Sequence, residues 1–229
     1  NNTKVIPARL FGYKEITNAK IEVLLLKDLG NDTWEALLGN AKTIKLGSII
    51  HFKDDILVAK CVEVFDEGIR HLKFIYQGIF LEELDKIGII PLPPYIHKGV
   101  KSNDEYQTVY ATNLGSAAAP TAGFHFSAEL LNKIEELGVE IIDVTLNIGL
   151  GTFRPVKVKD SKDHIMHSET YQISETSAAI LNKAKAEGRR IIAVGTTVIR
   201  TLEANISKYN EFRATNEATS IFIEPGYEF

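Results

Sequence analysis

Three prolines within four residues, in the PLPPYI stretch at 91–96, separate two textures that do not belong to one layer of structure. Proline lacks a backbone donor and holds φ fixed, so such a run forms a rigid connector rather than a ladder or a helix interior. Before it, from Val5 to Tyr76, apolar residues alternate or come in short bursts: VIPARLF, KIEVLLLKDL, TWEALLG, GSIIHF, ILVAKCVEVF and GIRHLKFIY. Turn-forming pieces (LGND, DD, DEG) lie between them. Five or six short strands at this spacing predict a small antiparallel barrel or sandwich. IFLEELDKIG, just ahead of the prolines, reads as a short helix, and a domain boundary is expected near Pro91.

Beyond the prolines, helices alternate with strands. Ser127 is placed to cap SAELLNKIEELG, whose apolar residues recur at helical spacing up to Gly138, and the strand VEIIDVTL follows. Ser174 similarly precedes ETSAAILNKAKAEG, which ends at Gly188; RRIIAVGTT then reads as a strand running into the helix TVIRTLEANI. Repeated αβ succession predicts a layered α/β domain with a largely parallel sheet. SKYNEFRATNEATS reads as a polar surface loop.

A hydrophobic content of 45%, with 24% charged residues, is that of an ordinary globular chain. The net charge of −4 argues against non-specific coating of nucleic acid through a wholly basic surface, while leaving room for a local basic patch. Cys61 stands alone, which excludes an intrachain disulfide and predicts a buried thiol. No apolar run approaches the ~18 residues of a membrane span and no secretory leader is visible, so no membrane partner is expected and a cytoplasmic location fits best. The chain opens on NNTKVIPARL without methionine and stops at GYEF, so it is expected to lack both ends of a longer protein.

Four stretches have the composition of a site. GSAAAPTAGFHF places small residues, among them Gly115, Ser116, Ala117, Thr121 and Gly123, on a broken, loop-like segment that ends in Phe124, His125 and Phe126. Residues this small mark a close backbone approach, either between elements or onto a ligand. His125 is either a core imidazole with one hydrogen bond or a proton shuttle. In TLNIGLGTFRPVKV, Gly149 and Gly151 bracket one leucine and are followed by Thr152, Phe153 and Arg154; a Gly-x-Gly pair is more often a turn than a nucleotide loop. DHIMHSETY sets His164, His167 and Glu169 close together, the residue types of a zinc site, of acid/base work, or of a structural hydrogen-bond cluster. In GRRIIAVGTTVIRTLE, Gly195, Thr196 and Thr197 form a strand-to-helix turn whose unpaired N–H groups favour an anion. Arg200 and Glu203 lie on one face one turn later, where they can pair with each other.

Taken together with NNTKVIPARL, PLPPYI, DEYQTVYATNLGSAAAPTAGFHF and FIEPGYEF, in order and spacing, these stretches closely resemble the S-adenosylmethionine:tRNA ribosyltransferase-isomerase family of queuosine biosynthesis. The likeness runs from end to end, and the combined set is highly specific. It departs from the family pattern at Asn147, where histidine is usual, and at Phe124, where leucine is common.

The resemblance implies an α/β fold: a domain of layered mixed or parallel sheet with helices, residues 1–10 and 91–229, carrying an inserted small antiparallel β-barrel, residues 11–90. It implies transfer and isomerisation of the ribosyl moiety of S-adenosylmethionine onto the aminomethyl group of 7-aminomethyl-7-deazaguanine in tRNA, with release of adenine and methionine. S-adenosylmethionine is then a consumed co-substrate, and no metal or other cofactor is implied. On this reading the catalytic set is His125, His164, His167 and Glu169: His125, His167 and Glu169 carry the proton transfers, with His164 as orienting partner. The substrate-binding set is Gly115, Ser116, Ala117, Thr121, Gly123, Phe126, Gly149, Gly151, Thr152, Phe153, Arg154, Gly195, Thr196, Thr197 and Arg200. A tRNA footprint is expected at Arg154, Lys157, Lys159, Arg189 and Arg190. Two rivals stand beside it: a metal-dependent hydrolase using His164, His167 and Glu169, and a non-catalytic RNA-binding module whose barrel offers the binding face.

Overall fold

The computed structural model describes residues 1–93, 96, 103–149 and 166–229. Lys157, Lys159, His164 and the predicted binding residues Gly151, Thr152, Phe153 and Arg154 lie outside the described residues. The chain divides into two compact units, one of Asn1–Val5 with Tyr106–Phe229 and one of Ile6–Glu105. Among the described residues, no helix is long and apolar enough to cross a membrane.

The second unit is a closed antiparallel barrel of six strands in the order β2-β3-β4-β7-β6-β5. Its strands are β2 (Arg9–Lys14), β3 (Lys20–Gly30), β4 (Thr33–Leu38), β5 (Ile49–Phe52), β6 (Leu57–Val64) and β7 (Ile69–Ile75), numbered in chain order. Alternation does the sorting: in β4, Trp34, Ala36 and Leu38 turn inward while Thr33, Glu35 and Leu37 face out. Leu10, Ile21, Val23, Leu25, Phe52, Cys61, Leu72 and Phe74 are among the residues that join them in the buried core. The thiol of Cys61 is thus buried, and burial pushes its pKa up. Helix α1 (Phe80–Ile87) packs on this unit through the fully buried Leu84 and through Phe80, whose ring lies 5.5 Å from Trp34 and 5.0 Å from Phe74. Closure gives each of the six strands a neighbour on both sides.

One end of the barrel is tied by Arg70, a buried cation whose hydrogen bonds among the described residues all go to carbonyl oxygens. Its Nε donates to the Ile44 carbonyl (3.0 Å), Nη1 to those of Phe65 (2.8 Å) and Ile69 (2.6 Å), and Nη2 to that of Ala41 (2.9 Å). The guanidinium fork thereby joins the turn after β4 to the turn before β7.

In the other unit, β1 (Thr3–Val5) pairs in parallel with β8 (Asn113–Ser116). β9 (Thr145–Leu146), β10 (Glu169–Ile173) and β11 (Thr215–Thr219) form an antiparallel sheet with β10 in the middle. Helices α2 (Ala128–Glu136), α3 (Glu175–Ala186) and α4 (Thr196–Tyr209) accompany them, and the fold is α/β. The two serine caps form as expected: Ser127 Oγ accepts from Leu130 N–H (3.2 Å) and Ser174 Oγ from Ser177 N–H (3.0 Å). Gly138 and Gly188, at φ +81° and +66°, end the helices in the left-handed region.

The strand expectations need correction in three places. Only Thr145 and Leu146 of VEIIDVTL enter a ladder, and RRIIAV enters none among the described residues. Val139 is 49% and Ile192 73% exposed, and among the described residues no strand pairs with either segment. The parallel component of the described sheets is therefore the β1–β8 pair alone, the other three strands running antiparallel. Finally, SKYNEFRATNEATS is not a loop throughout. It holds the end of α4 and all of β11, pinned by the fully buried Asn205, which accepts from Arg213 N–H (2.8 Å) and donates to the Arg213 carbonyl and Thr215 Oγ1 (both 3.1 Å).

Candidate active site

The small-residue stretch runs along the segment that follows β9. Ile148 N–H donates to Ser116 Oγ (2.8 Å), and Ala117 N–H donates to the Ile148 carbonyl (2.9 Å). Ser116, Ala117, Ala118 and Ala119 are all buried, so their size answers first to packing against the sheet. Gly115 serves a further purpose. It sits at φ +146°, and a Cβ there would meet the Asn147 amide at 3.0 Å. At Gly123 the crowding neighbours are the Tyr110 hydroxyl and the Thr108 methyl, the latter 2.6 Å from where a Cβ would stand. Tight packing, the bland alternative, thus accounts for much of GSAAAPTAGFHF.

Its far end turns outward. Thr121–His125 forms a 3-10 turn in which Phe124 and His125 are exposed and Phe126 is partly so. Ala122 Cβ lies 3.3 Å from the Cβ position of Gly195, which brings this turn against the start of α4. Gly195 itself has φ +93° and, as the N-cap residue, brings no side chain to cap the N–H groups of the helix it opens. Thr197 Oγ1 accepts from Asn1 Nδ2 (3.0 Å), and the same Nδ2 donates to the Leu146 carbonyl (3.1 Å), which ties the helix start to β9.

Asn147 joins both sheets. Its Oδ1 accepts from Thr3 Oγ1 (2.8 Å), its N–H donates to the Thr170 carbonyl (2.9 Å), and its Nδ2 reaches Thr170 Oγ1 at 3.4 Å. Two residues on, Gly149 N–H donates to Glu169 Oε1 (2.9 Å). The other carboxylate oxygen of Glu169 takes an ion pair from Arg200 Nη1, with side-chain exposures of only 4% for Glu169 and 11% for Arg200. Arg200 Nε donates to the Ile221 carbonyl (3.3 Å), whereas its buried Nη2 has no partner among the described residues. Glu203, the expected partner of Arg200, instead accepts from Tyr227 Oη (2.9 Å).

Four of the sequence stretches therefore meet: Gly115–Ala117, Asn147–Gly149, Glu169 and Gly195–Arg200 are linked by direct contacts within one unit. His167 lies exposed two residues before Glu169 on the approach to β10. Among the described residues, no group of three His, Cys, Asp or Glu side chains is placed to hold a metal. Of the basic footprint, Arg189 is already paired with Glu140 (2.6 Å) and Glu187 (2.8 Å), and Arg190 is exposed. Residue-by-residue reading missed Asn1, Thr3, Thr108, Tyr110 and Thr170. Their partners lie up to 196 positions away in the chain, beyond the range of any local signal.

The family model described as queuosine biosynthesis protein matches residues 1–229. This chain belongs to that family. It is 52% identical over all 229 residues to S-adenosylmethionine:tRNA ribosyltransferase-isomerase of Staphylococcus epidermidis (strain ATCC 35984), covering 67% of that protein. The protein of the same name from Staphylococcus haemolyticus (strain JCSC1435) matches at the same identity and coverage. A solved structure, S-adenosylmethionine tRNA ribosyltransferase from Thermotoga maritima, is 28% identical over 99% of this chain and 61% of that one, with a TM-score of 0.36. The chain thus spans about two thirds of the length of these relatives. The metal-dependent hydrolase finds no support in the family, and the structure commits Glu169, one of its three ligands, to Gly149 and Arg200.

Proposed function

We propose that this chain carries the ribosyltransferase-isomerase activity for which its relatives are named, with S-adenosylmethionine as ribosyl donor and tRNA as acceptor. The observation that carries the reading is 52% identity across every residue of the chain with proteins of that name, inside a family model that also matches end to end. The ribosyl portion of the donor is transferred and isomerised onto the aminomethyl group of 7-aminomethyl-7-deazaguanine, giving epoxyqueuosine-tRNA, adenine and methionine. A cytoplasmic location suits a tRNA substrate. No cofactor beyond the consumed donor is invoked.

The chemistry needs a base for the acidified proton on the carbon beside the sulfonium, an acid for departing adenine, and a base that converts the aminomethyl ammonium to a nucleophile. His125 and His167, exposed at the edge of the linked loops, are the groups assigned to this traffic. Glu169, buried and doubly engaged, is assigned to holding Gly149 and Arg200 in place. The start of α4 at Gly195–Thr197 supplies N–H groups for an anionic oxygen of either substrate, and Phe126 a ring on which a base can stack.

The test is incubation of the chain with S-adenosylmethionine and tRNA bearing the precursor base, followed by chromatography of the products. Adenine released in equal amount to the newly modified nucleoside is expected. Binding of tRNA without adenine release sinks the transferase reading and leaves the RNA-binding module.

A further inference from the structure

Gly123 has no positive φ to require it, so its backbone would accept any residue. It is a glycine because of its neighbours: a Cβ there would run into the Tyr110 hydroxyl and lie 3.0 Å from Tyr110 Cζ and 2.6 Å from the Thr108 methyl. Glycine costs conformational entropy where its freedom goes unused, and here that cost admits a phenol end-on against the turn Thr121–His125. The hydroxyl finds no partner in return. Among the described residues Tyr110 Oη makes no hydrogen bond, and the residue is partly buried. Thr108 Oγ1 also lacks a partner among them but is sealed from solvent, so Tyr110 carries the hydroxyl that an outside molecule can reach.

Polar groups taken out of water are hydrogen-bonded as a rule, and an exception calls for an explanation. Burial first, and the Asp143 carboxylate next, push the phenol pKa up, so the group stays an O–H donor. Its surroundings are aromatic. The Phe124 ring, 41% exposed, is held edge-on by Tyr106 at 5.5 Å between centroids, and His125 and Phe126 follow it in the chain. An exposed ring beside a free O–H offers an apolar face and one polar contact at its edge, a combination that suits a nitrogen heterocycle. Through Ala122 the same turn touches Gly195 at the start of α4, which places the phenol among the linked loops. We propose that the Tyr110 hydroxyl is a substrate-binding donor, giving its hydrogen bond to a ring nitrogen or carbonyl oxygen of a purine-like heterocycle seated on the Thr121–His125 turn. The proposal rests on the function assigned above, which supplies two such rings, the adenine of S-adenosylmethionine and the 7-deazaguanine of tRNA. No proton leaves the phenol; it holds the ring in place for the groups that do transfer protons.

The experiment compares wild type with Tyr110→Phe, which keeps the ring and removes only an oxygen that has no partner among the described residues. Tm is therefore expected to hold or rise. Calorimetric titration with S-adenosylmethionine reads one ring and filter retention of precursor-bearing tRNA reads the other, with KM for each substrate measured beside them. Affinity is expected to fall about tenfold on one arm and to stay within about twofold on the other, and the arm that moves identifies the heterocycle. Unchanged or improved affinity on both arms overturns the proposal. Losses on both arms, or any loss that tracks a falling Tm, overturn it too, since they report a disturbed turn rather than one hydrogen bond. If wild type binds S-adenosylmethionine yet releases no adenine, the function reading fails by itself, and the two titrations still decide the hydroxyl.

Discussion

Replacing Glu169 by glutamine removes one charge from the buried pair with Arg200 and little else. The glutamine Oε1 still accepts from Gly149 N–H, as the carboxylate does at 2.9 Å, so the loop contact is kept. Its Nε2, however, now turns donors toward Arg200 Nη1. The Nη1 arm of the buried guanidinium then loses its carboxylate partner. Because the partners are 4% and 11% exposed, solvent screening relieves little of this. Taking one member from such a pair costs about 3–5 kcal/mol, comparable with the ~4 kcal/mol Coulomb attraction of charges 4 Å apart at an effective dielectric of 20. At roughly 3–4 °C per kcal/mol for a unit of this size, the melting temperature should fall by about 9–20 °C. The assay is thermal and urea unfolding of wild type, Glu169→Gln, Arg200→Met and the double variant. The double variant should recover most of the loss, since no unpaired charge is left. A Glu169→Gln loss under ~1 kcal/mol, or strictly additive single variants, would refute the argument.

Gly123→Ala should destabilise by about 1–3 kcal/mol through overpacking against Tyr110 and Thr108, and Tyr110→Phe should relieve part of the cost by removing the crowding hydroxyl; equal losses in both backgrounds, read from urea midpoints, would exclude this contact. Glu217 accepts from Lys208 Nζ (2.8 Å) first and from Tyr209 Oη next, and both hold its carboxyl below the usual range. The unfolded chain then binds the proton more readily, so this contribution to stability is present above about pH 4.3 and is lost as pH falls through the lowered folded value. Tm measured against pH should therefore lose part of its acid limb in Glu217→Gln, with the slope near neutrality unchanged.

Much of the fold was legible because the deciding signals are local. Ser127 and Ser174 cap the helices they precede, and strict alternation in TWEALL sorts β4 into core and surface. The misses share a cause, in that each depends on a neighbour rather than on the segment itself. β11 is polar along its length and exists because β10 lies beside it, while VEIIDV and RRIIAV are apolar enough for strands and find no described neighbour. At the site, composition singled out the four stretches that meet. It could not show that Gly123 makes room for Tyr110, that Arg200 answers to Glu169 rather than Glu203, or that Asn147 bonds to Thr3 at the other end of the chain.

Arg70 has a consequence for how this protein can vary. Two turns, far apart along the barrel sequence, present their carbonyl oxygens to a single planar guanidinium, and each oxygen matches one N–H direction. Inserting or deleting a residue in either turn would leave an N–H of a permanently charged group facing nothing, and lysine has no fork with which to substitute. The lengths of the two turns are therefore locked to each other, and a homologue that alters one should be found to have altered the other or to have given up the arginine.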